Sequence, residues 1–375
     1  MLIAFRVDAG ISMGSGHVMR CATLANALVA KGHEVCFFCR PQAGDLCAWL
    51  IAQGFQVIEL AAAIGGTEAN YHKDLHATQH GAWLGVTQAE DAAQTLAAVR
   101  VQPDLWIVDH YGLDAYWHKQ VAVSTSLLVI DDLADRQYAA DLLLDQNLGR
   151  SAKDYSGLTE AEVLAGLDYV LLRPEFTRAR KQSYTRQRLE HIVITMGGVD
   201  QPNATGIALN ALLSTELATL RKITVILGQA NPHKAEIAQL GRLSQEVKIE
   251  LVQGVDNMAE RLCDADLAIG AAGTTSWERC AVGLPTVIVE LAANQKLAAE
   301  ALAVTGAAEP VALTELAEKL PALVKRIAST PDLLTYMSTQ AYNLVDGGGT
   351  ERVVERLLKV VTQRKRTLVS QEGEK

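Results

Sequence analysis

Short apolar runs alternate with stretches of helical periodicity along almost the whole chain. This alternation restricts the fold to layers in which parallel strands are covered by helices. Strand-like runs at 2–7, 34–39, 56–60, 105–109 and 127–131 form a first series, and runs at 191–196, 223–227, 247–251, 267–269 and 286–289 form a second. After the first run, Val18, Cys21, Ala22, Ala25 and Val29 recur at helical spacing, and Gly32 follows as a stop. A chain of 375 residues can bury two cores of ordinary size. The spacing therefore predicts two doubly wound α/β halves, with a charged linker at 173–188 and a polar, frayed tail at 364–375.

The charge balance, 34 Lys+Arg against 43 Asp+Glu for a net of -9, argues against a broad nucleic-acid or anionic-membrane surface. Any phosphate site must be local. The six cysteines lie mostly in apolar segments without paired zinc spacing and read as reduced core residues. No His/Cys/carboxylate set has metal-ligand spacing, so neither a metal nor a cofactor is expected. No run reaches the roughly 18 apolar residues of a membrane span, so the expected location is cytoplasmic, away from nucleic acid and membrane.

Ligand-bearing loops of parallel α/β sheets lie at the carboxyl ends of strands, and the unusual residues of this chain fall there. Gly14, Ser15, Gly16, His17 and Arg20 follow the first run. The third glycine of a dinucleotide fingerprint is replaced by Met19, and the Lys-Ser/Thr pair of a P-loop is missing. What remains is a glycine turn at a helix start, suited to an anion, with His17 either a neutral proton acceptor or a plain helix cap. Asp109-His110-Tyr111 ends the fourth run. In the second half, Gly197-Gly198 with Asp200 and Asn203, Gly254-Val255-Asp256, and the hydroxyl-rich 270–276 occupy equivalent places. Glu278 sits where a first-turn carboxylate can accept hydrogen bonds from a ribose diol, or complete a capping box.

Together these motifs resemble the UDP-sugar hydrolases of pseudaminic acid biosynthesis, and more distantly the UDP-N-acetylglucosamine transferase of peptidoglycan synthesis. The resemblance runs over about 1–358. It rests on Arg6-x-Asp8 with Gly14-x-Gly16-His17-x-x-Arg20, Asp109-His110-Tyr111, Arg173-Pro174-Glu175, Gly197-Gly198-Val199-Asp200, 270–278 and Asn294-Gln295. It implies a glycosyltransferase-B arrangement of two Rossmann-like domains about an interdomain cleft. The first domain would be 1–175 with a C-terminal helix at about 348–363 crossing back, the second 190–345, and the tail 364–375. The implied reaction is inverting hydrolysis of UDP-2,4-diacetamido-2,4,6-trideoxy-β-L-altropyranose to UDP and free sugar by a monomer. His17 would be the general base and Tyr111 would position water or sugar. Arg6, Asp8, Gly14, Ser15, Gly16, Arg20 and Arg173 would line the substrate site. Val255 and Met258 would meet the uracil, Glu278 the ribose, Gly197, Gly198, Thr274, Thr275 and Ser276 the diphosphate, and Asn294 and Gln295 the sugar. A transferase, a hydrolysing 2-epimerase and a non-catalytic nucleotide-sugar sensor are the competing readings.

Overall fold

The computed structural model describes residues 1–62, 78–229, 231–244, 246–291 and 295–372. The chain divides into two compact units, Met1–Leu171 with Gly348–Lys375, and Leu172–Gly347. Each is built on a wholly parallel sheet. These are the two Rossmann-like α/β halves expected from the alternation.

In the first unit β1 (Leu2–Val7), β2 (Glu34–Cys39), β3 (Gln56–Glu59), β4 (Leu105–Asp109), β5 (Ser126–Ile130), β6 (Leu142–Asp145) and β7 (Glu162–Ala165) lie in the order β3-β2-β1-β4-β5-β6-β7. Alternate side chains of one strand feed opposite cores, as the two-residue pleat requires. Ile3, Phe5 and Val7 pack with Leu24, Leu28 and Leu357 under the helices Gly16–Ala30 and Gly349–Glu372. Ala4, Trp106 and Val108 pack with Trp117 and Ala92 under Ala115–Val121 and Gln88–Ala98. With both faces covered, the strands read as continuous apolar runs. Burying each large side chain contributes roughly 1.5–3 kcal/mol. The returning helix is tied down by Arg356 to Glu162 and by Arg364 to Asp141 at 2.8 Å.

In the second unit β8 (His191–Thr195), β9 (Lys222–Leu227), β10 (Lys248–Gln253), β11 (Leu267–Ala271), β12 (Thr286–Glu290) and β13 (Ala308–Ala312) lie in the order β10-β9-β8-β11-β12-β13. Its core joins Ile192, Ile194, Val225 and Ile269 to Leu209, Leu320 and Val324 of the covering helices. Each sheet changes winding direction beside its first strand, between β1 and β4 and between β8 and β11. Loops leaving those strand ends diverge there and open a crevice.

Three strands were not expected: β6, β7 and β13. The segment 173–188 is not a linker. Helix Pro174–Arg180 belongs to the second unit, and Arg186 is fully buried, with carbonyls of Ala265, Val282, Gly283, Leu262 and Cys263 around its guanidinium. The chain passes between units at Leu171–Leu172. The last helix does not end near residue 363 but continues to Glu372. Among the described residues no helix is long and apolar enough to cross a membrane.

Candidate active site and anion-binding loops

At the first switch point, residues 8–15 connect β1 to the helix Gly16–Ala30. Gly14 takes φ +77°, a conformation L side chains rarely adopt, and its N–H donates to the Gly10 carbonyl at 2.8 Å, folding the loop back on itself. His17 enters on the first helical turn beside the end of β4, since Val7 of β1 is paired in register with Asp109. The His17 Nδ1 and the Asp109 Oδ1 lie 2.6 Å apart, in a buried contact. A carboxylate there holds the ring hydrogen on Nδ1 and leaves the Nε2 lone pair outward. Nε2 makes no hydrogen bond among the described residues, and His17 keeps 8% of its surface exposed.

Arg20, one turn further, grips the same carboxylate from the other side. Its Nε donates to Asp109 Oδ2 at 2.6 Å and its Nη2 to Oδ1 at 2.7 Å, while Nη1 donates to Asp132 at 2.6 Å. Burial alone would raise the Asp109 carboxyl. The Arg20 guanidinium and then His17 outweigh it and hold Asp109 below the usual carboxylate range. Tyr111 donates its hydroxyl to Asp132 and presents its ring edge-on to His17, centroids 4.6 Å apart. Burial, then Asp132, push the phenol well above its ordinary value, so it stays protonated.

These contacts bear on four expectations for the first unit. Arg6 is fully buried; Asp91 receives its Nε and Nη2 at 3.0 and 2.6 Å, and Asp8 its Nη1 at 2.6 Å. Asp8 is also buried and accepts from the backbone N–H of Arg40 at 2.7 Å. Both are enclosed by groups of the first unit. Arg20 is buried, with its guanidinium bonded to Asp109 and Asp132. The Tyr111 hydroxyl hydrogen is committed to Asp132, and its ring lies edge-on to His17. Gly14, Ser15 and Gly16 are half-buried, while His17 is buried at the start of the helix. Ser15 makes no side-chain cap, and no acidic residue stands in the helix's first turn.

In the second unit the loop after β8 carries Gly197 at φ +89°. A Cβ on Gly228 would come within 2.0 Å of the Gly198 carbonyl oxygen, so the neighbouring strand end must be glycine for this loop to pass. Asp200 accepts from the N–H groups of Ala204 and Thr205, and Asn203 from Gly206, so the helix Ala204–Leu213 has its free donors occupied by its own side chains. The loop after β11 is different. Thr274 makes no side-chain cap to the helix Thr275–Ala281. Ser276 is turned inward, its hydroxyl accepting from Arg279 at 3.0 Å, which corrects its expected role as a phosphate contact. Glu278 receives a 3.0 Å bond from Arg173 on Oε1. Burial raises the Glu278 carboxyl, opposed by Arg173. Val255 and Met258 are half-buried after β10, and Gln295 accepts from the Leu291 N–H at 3.1 Å. Asn294 lies outside the described residues.

The sequence reading placed Asp109 at a ligand-bearing strand end without giving it a role, and it missed Asp132. The signal for Asp109 was available, an acid closing an apolar strand next in the sheet to the glycine turn; Asp132 lies in a turn that no pattern marks. Among the described residues no group of three or more His, Cys, Asp or Glu side chains is placed to hold a metal ion.

Residues 192–356 match the model of the Glycosyltransferase family 28 C-terminal domain. An uncharacterized protein of Methanocaldococcus jannaschii is 27% identical over 301 residues, covering 77% of this chain and 55% of its own length. The spore coat polysaccharide biosynthesis protein SpsG of Bacillus subtilis is 27% identical over 203 residues, covering 54% of this chain and 59% of its own length. The matched stretches thus span little more than half of either relative. Among solved structures, MurG of Acinetobacter baumannii aligns over 96% of this chain and 99% of its own, with a TM-score of 0.63 at 18% identity. That likeness extends through both units and shows the glycosyltransferase-B fold.

Proposed function

We propose that the chain acts on a nucleotide sugar, and that it hydrolyses a UDP-linked 2,4-diacetamido-2,4,6-trideoxyhexose of the altropyranose type to UDP and the free sugar, a step of pseudaminic acid biosynthesis. The match to a glycosyltransferase domain over the second unit, the fold, and the polysaccharide-biosynthesis name of the Bacillus subtilis relative support the coarser part. The resemblance of the ordered motifs supports the finer part.

The observation that carries the mechanism is the His17–Asp109 contact at 2.6 Å with Nε2 left open. In this reading Nε2 takes a proton from water as its oxygen attacks the anomeric carbon. The bond from that carbon to the diphosphate oxygen breaks, its electron pair leaves with UDP, and the sugar emerges inverted. Asp109 stabilises the imidazolium that forms. Glu278 Oε2 would take the ribose, and Thr274, Thr275 and the glycines at 197–198 the diphosphate. UDP is a stable leaving group, so no general acid is needed.

The same imidazole would serve a transferase by deprotonating an acceptor hydroxyl, a reading that the family 28 match favours. Incubation of the protein with UDP-sugar in ¹⁸O-water without acceptor separates the two. The hydrolase puts label on the sugar; a strict transferase releases no UDP. His17→Asn should keep UDP binding while turnover falls by about 10² to 10⁴-fold. Turnover at the wild-type rate in this variant would refute the assignment, and UDP-sugar binding by the wild type with no UDP release even when sugar acceptors are added would mark a sensor.

A further inference from the structure

Two arginines of the second unit are fully buried, and they are satisfied in opposite ways. Arg186 is ringed by backbone carbonyls and the Ser183 hydroxyl. Arg279 uses three hydrogen bonds. Its Nη2 donates to the Ala271 carbonyl at 2.8 Å and to Ser276 Oγ at 3.0 Å, and its Nη1 to Thr275 Oγ1 at 3.3 Å. Its Nε is buried with no partner among the described residues. It takes part in no ion pair among the described residues, and the undescribed residues of this unit, Ala230, Gln245, Ala292, Ala293 and Asn294, include no carboxylate. The Glu278 carboxylate acts on it from a distance, without a direct ion pair, whereas a buried guanidinium is normally paired directly.

Its position is specific. A Cβ on Gly270 would lie 2.5 Å from the Arg279 Nη1, so the guanidinium sits directly against the β11 end and the loop that follows. The hydroxyls it touches differ in what they can do next. Ser276 passes its hydrogen to the Ala271 carbonyl at 3.5 Å. Thr275, whose oxygen accepts from Arg279, has no acceptor for its own hydrogen among the described residues, and it is half-exposed. A hydroxyl fixed as an acceptor by a cation must aim its hydrogen away from that cation.

We infer that Arg279 is a positioning residue for a diphosphate at the 270–275 loop: it holds the Thr275 hydroxyl as a donor toward a phosphate oxygen, and the ligand adds negative charge to that of Glu278, with which this guanidinium forms no direct ion pair. The inference rests on the reading of this loop as the diphosphate site. It adds that the loop's affinity for phosphate depends on a residue that never touches the ligand.

The test measures binding of inorganic diphosphate, UDP and uridine to the full chain by calorimetry, for wild type, Arg279→Lys and Thr275→Val. Thr275→Val keeps the fold where Arg279→Lys fails to, because Thr275 lies at the surface and Val matches its shape. Both variants should bind diphosphate and UDP at least tenfold more weakly with uridine unchanged, and the double variant should lose less than the product of the single losses. Diphosphate affinity unchanged in folded variants overturns the inference while wild-type UDP binding leaves the nucleotide-sugar reading standing. Arg279-dependent binding of inorganic diphosphate with no added affinity for UDP upholds the inference and removes the uridine reading. No binding of either by the wild type overturns both.

Discussion

Asp109→Asn is the substitution that most directly probes the His17 site. The wild-type carboxylate receives four donors: the His17 Nδ1, two Arg20 nitrogens between 2.6 and 2.7 Å, and the Cys21 thiol at 3.6 Å. An amide has one acceptor oxygen, so one side of this arrangement must fail. If the amide nitrogen faces His17, the ring hydrogen moves to Nε2 and the base loses the lone pair it needs. If the amide oxygen faces His17, the NH₂ group confronts the Arg20 Nε–H and a charge-assisted bond is lost. Turnover should fall by roughly 10³-fold, within the 10² to 10⁴ attributed to general-base assistance. Stability should fall by about 1.5–3 kcal/mol, the worth of one hydrogen bond to a charged group. That is less than the roughly 3–5 kcal/mol of a fully orphaned buried charge. The difference arises because Arg20 keeps its 2.6 Å bond to Asp132. UDP release from UDP-sugar reads the first quantity, and urea denaturation reads the second. A folded Asp109→Asn variant that turns over within threefold of wild type would show that His17 does not act through this carboxylate.

Two further perturbations test the surrounding structure. Burial, then Arg136, hold His118 down to about 3, against an ordinary value of 6.5, so the unfolded chain binds a proton that the folded chain rejects between those values. Stability should therefore be intact above pH 6.5 and decline as pH falls, by about 2 kcal/mol at pH 5. His118→Leu should flatten that part of the urea-midpoint profile, and an unchanged slope would refute it. Gly228→Ala places a Cβ 2.0 Å from a backbone carbonyl, whereas Gly254→Ala meets the movable end of Gln229 at 1.9 Å with φ +61°. The first should lose ~3 kcal/mol or more and the second about 1 kcal/mol; equal losses in equilibrium unfolding would contradict the close-approach account.

The central strands were legible in the sequence because parallel strands buried on both faces leave continuous apolar runs, as in β1, β4 and β8. The three that escaped have local reasons. β6 and β7 are four residues each, too short for a periodic signal. β13 carries Pro310, which argues against a central strand and is tolerated here because β13 is at the sheet edge, paired only with β12. Arg6 was read as a ligand contact only through the resemblance that its Arg6-x-Asp8 motif carries. One of its counter-charges, Asp8, is a close neighbour in sequence, but the other, Asp91, lies 85 residues away, a separation no local pattern spans. Arg173 to Arg188 read as a linker for the same reason: Arg186 is neutralised by carbonyls of distant loops, and carbonyls leave no mark in a sequence.

Asp109 was visible as a strand end but not as a partner of His17, and its role changes what the glycine turn means. A helix start with two glycines and an imidazole is ambiguous between a cap and a base. Asp109 and Asp132 favour the base we propose, because the charged neighbours in contact with this imidazole or with each other are then two carboxylates and one guanidinium. Those three side chains carry a net charge of minus one, and in the proposed mechanism a proton accepted at Nε2 brings the cluster to zero. Tyr111 adds nothing to that count, since its buried phenol stays protonated and donates to Asp132. The geometry is thus arranged to accept one proton from the outward side. The fixed carboxylate and its arginine cost no reorganisation when that happens. A mere helix cap needs neither the second carboxylate nor the bidentate arginine, and it would leave no nitrogen lone pair open.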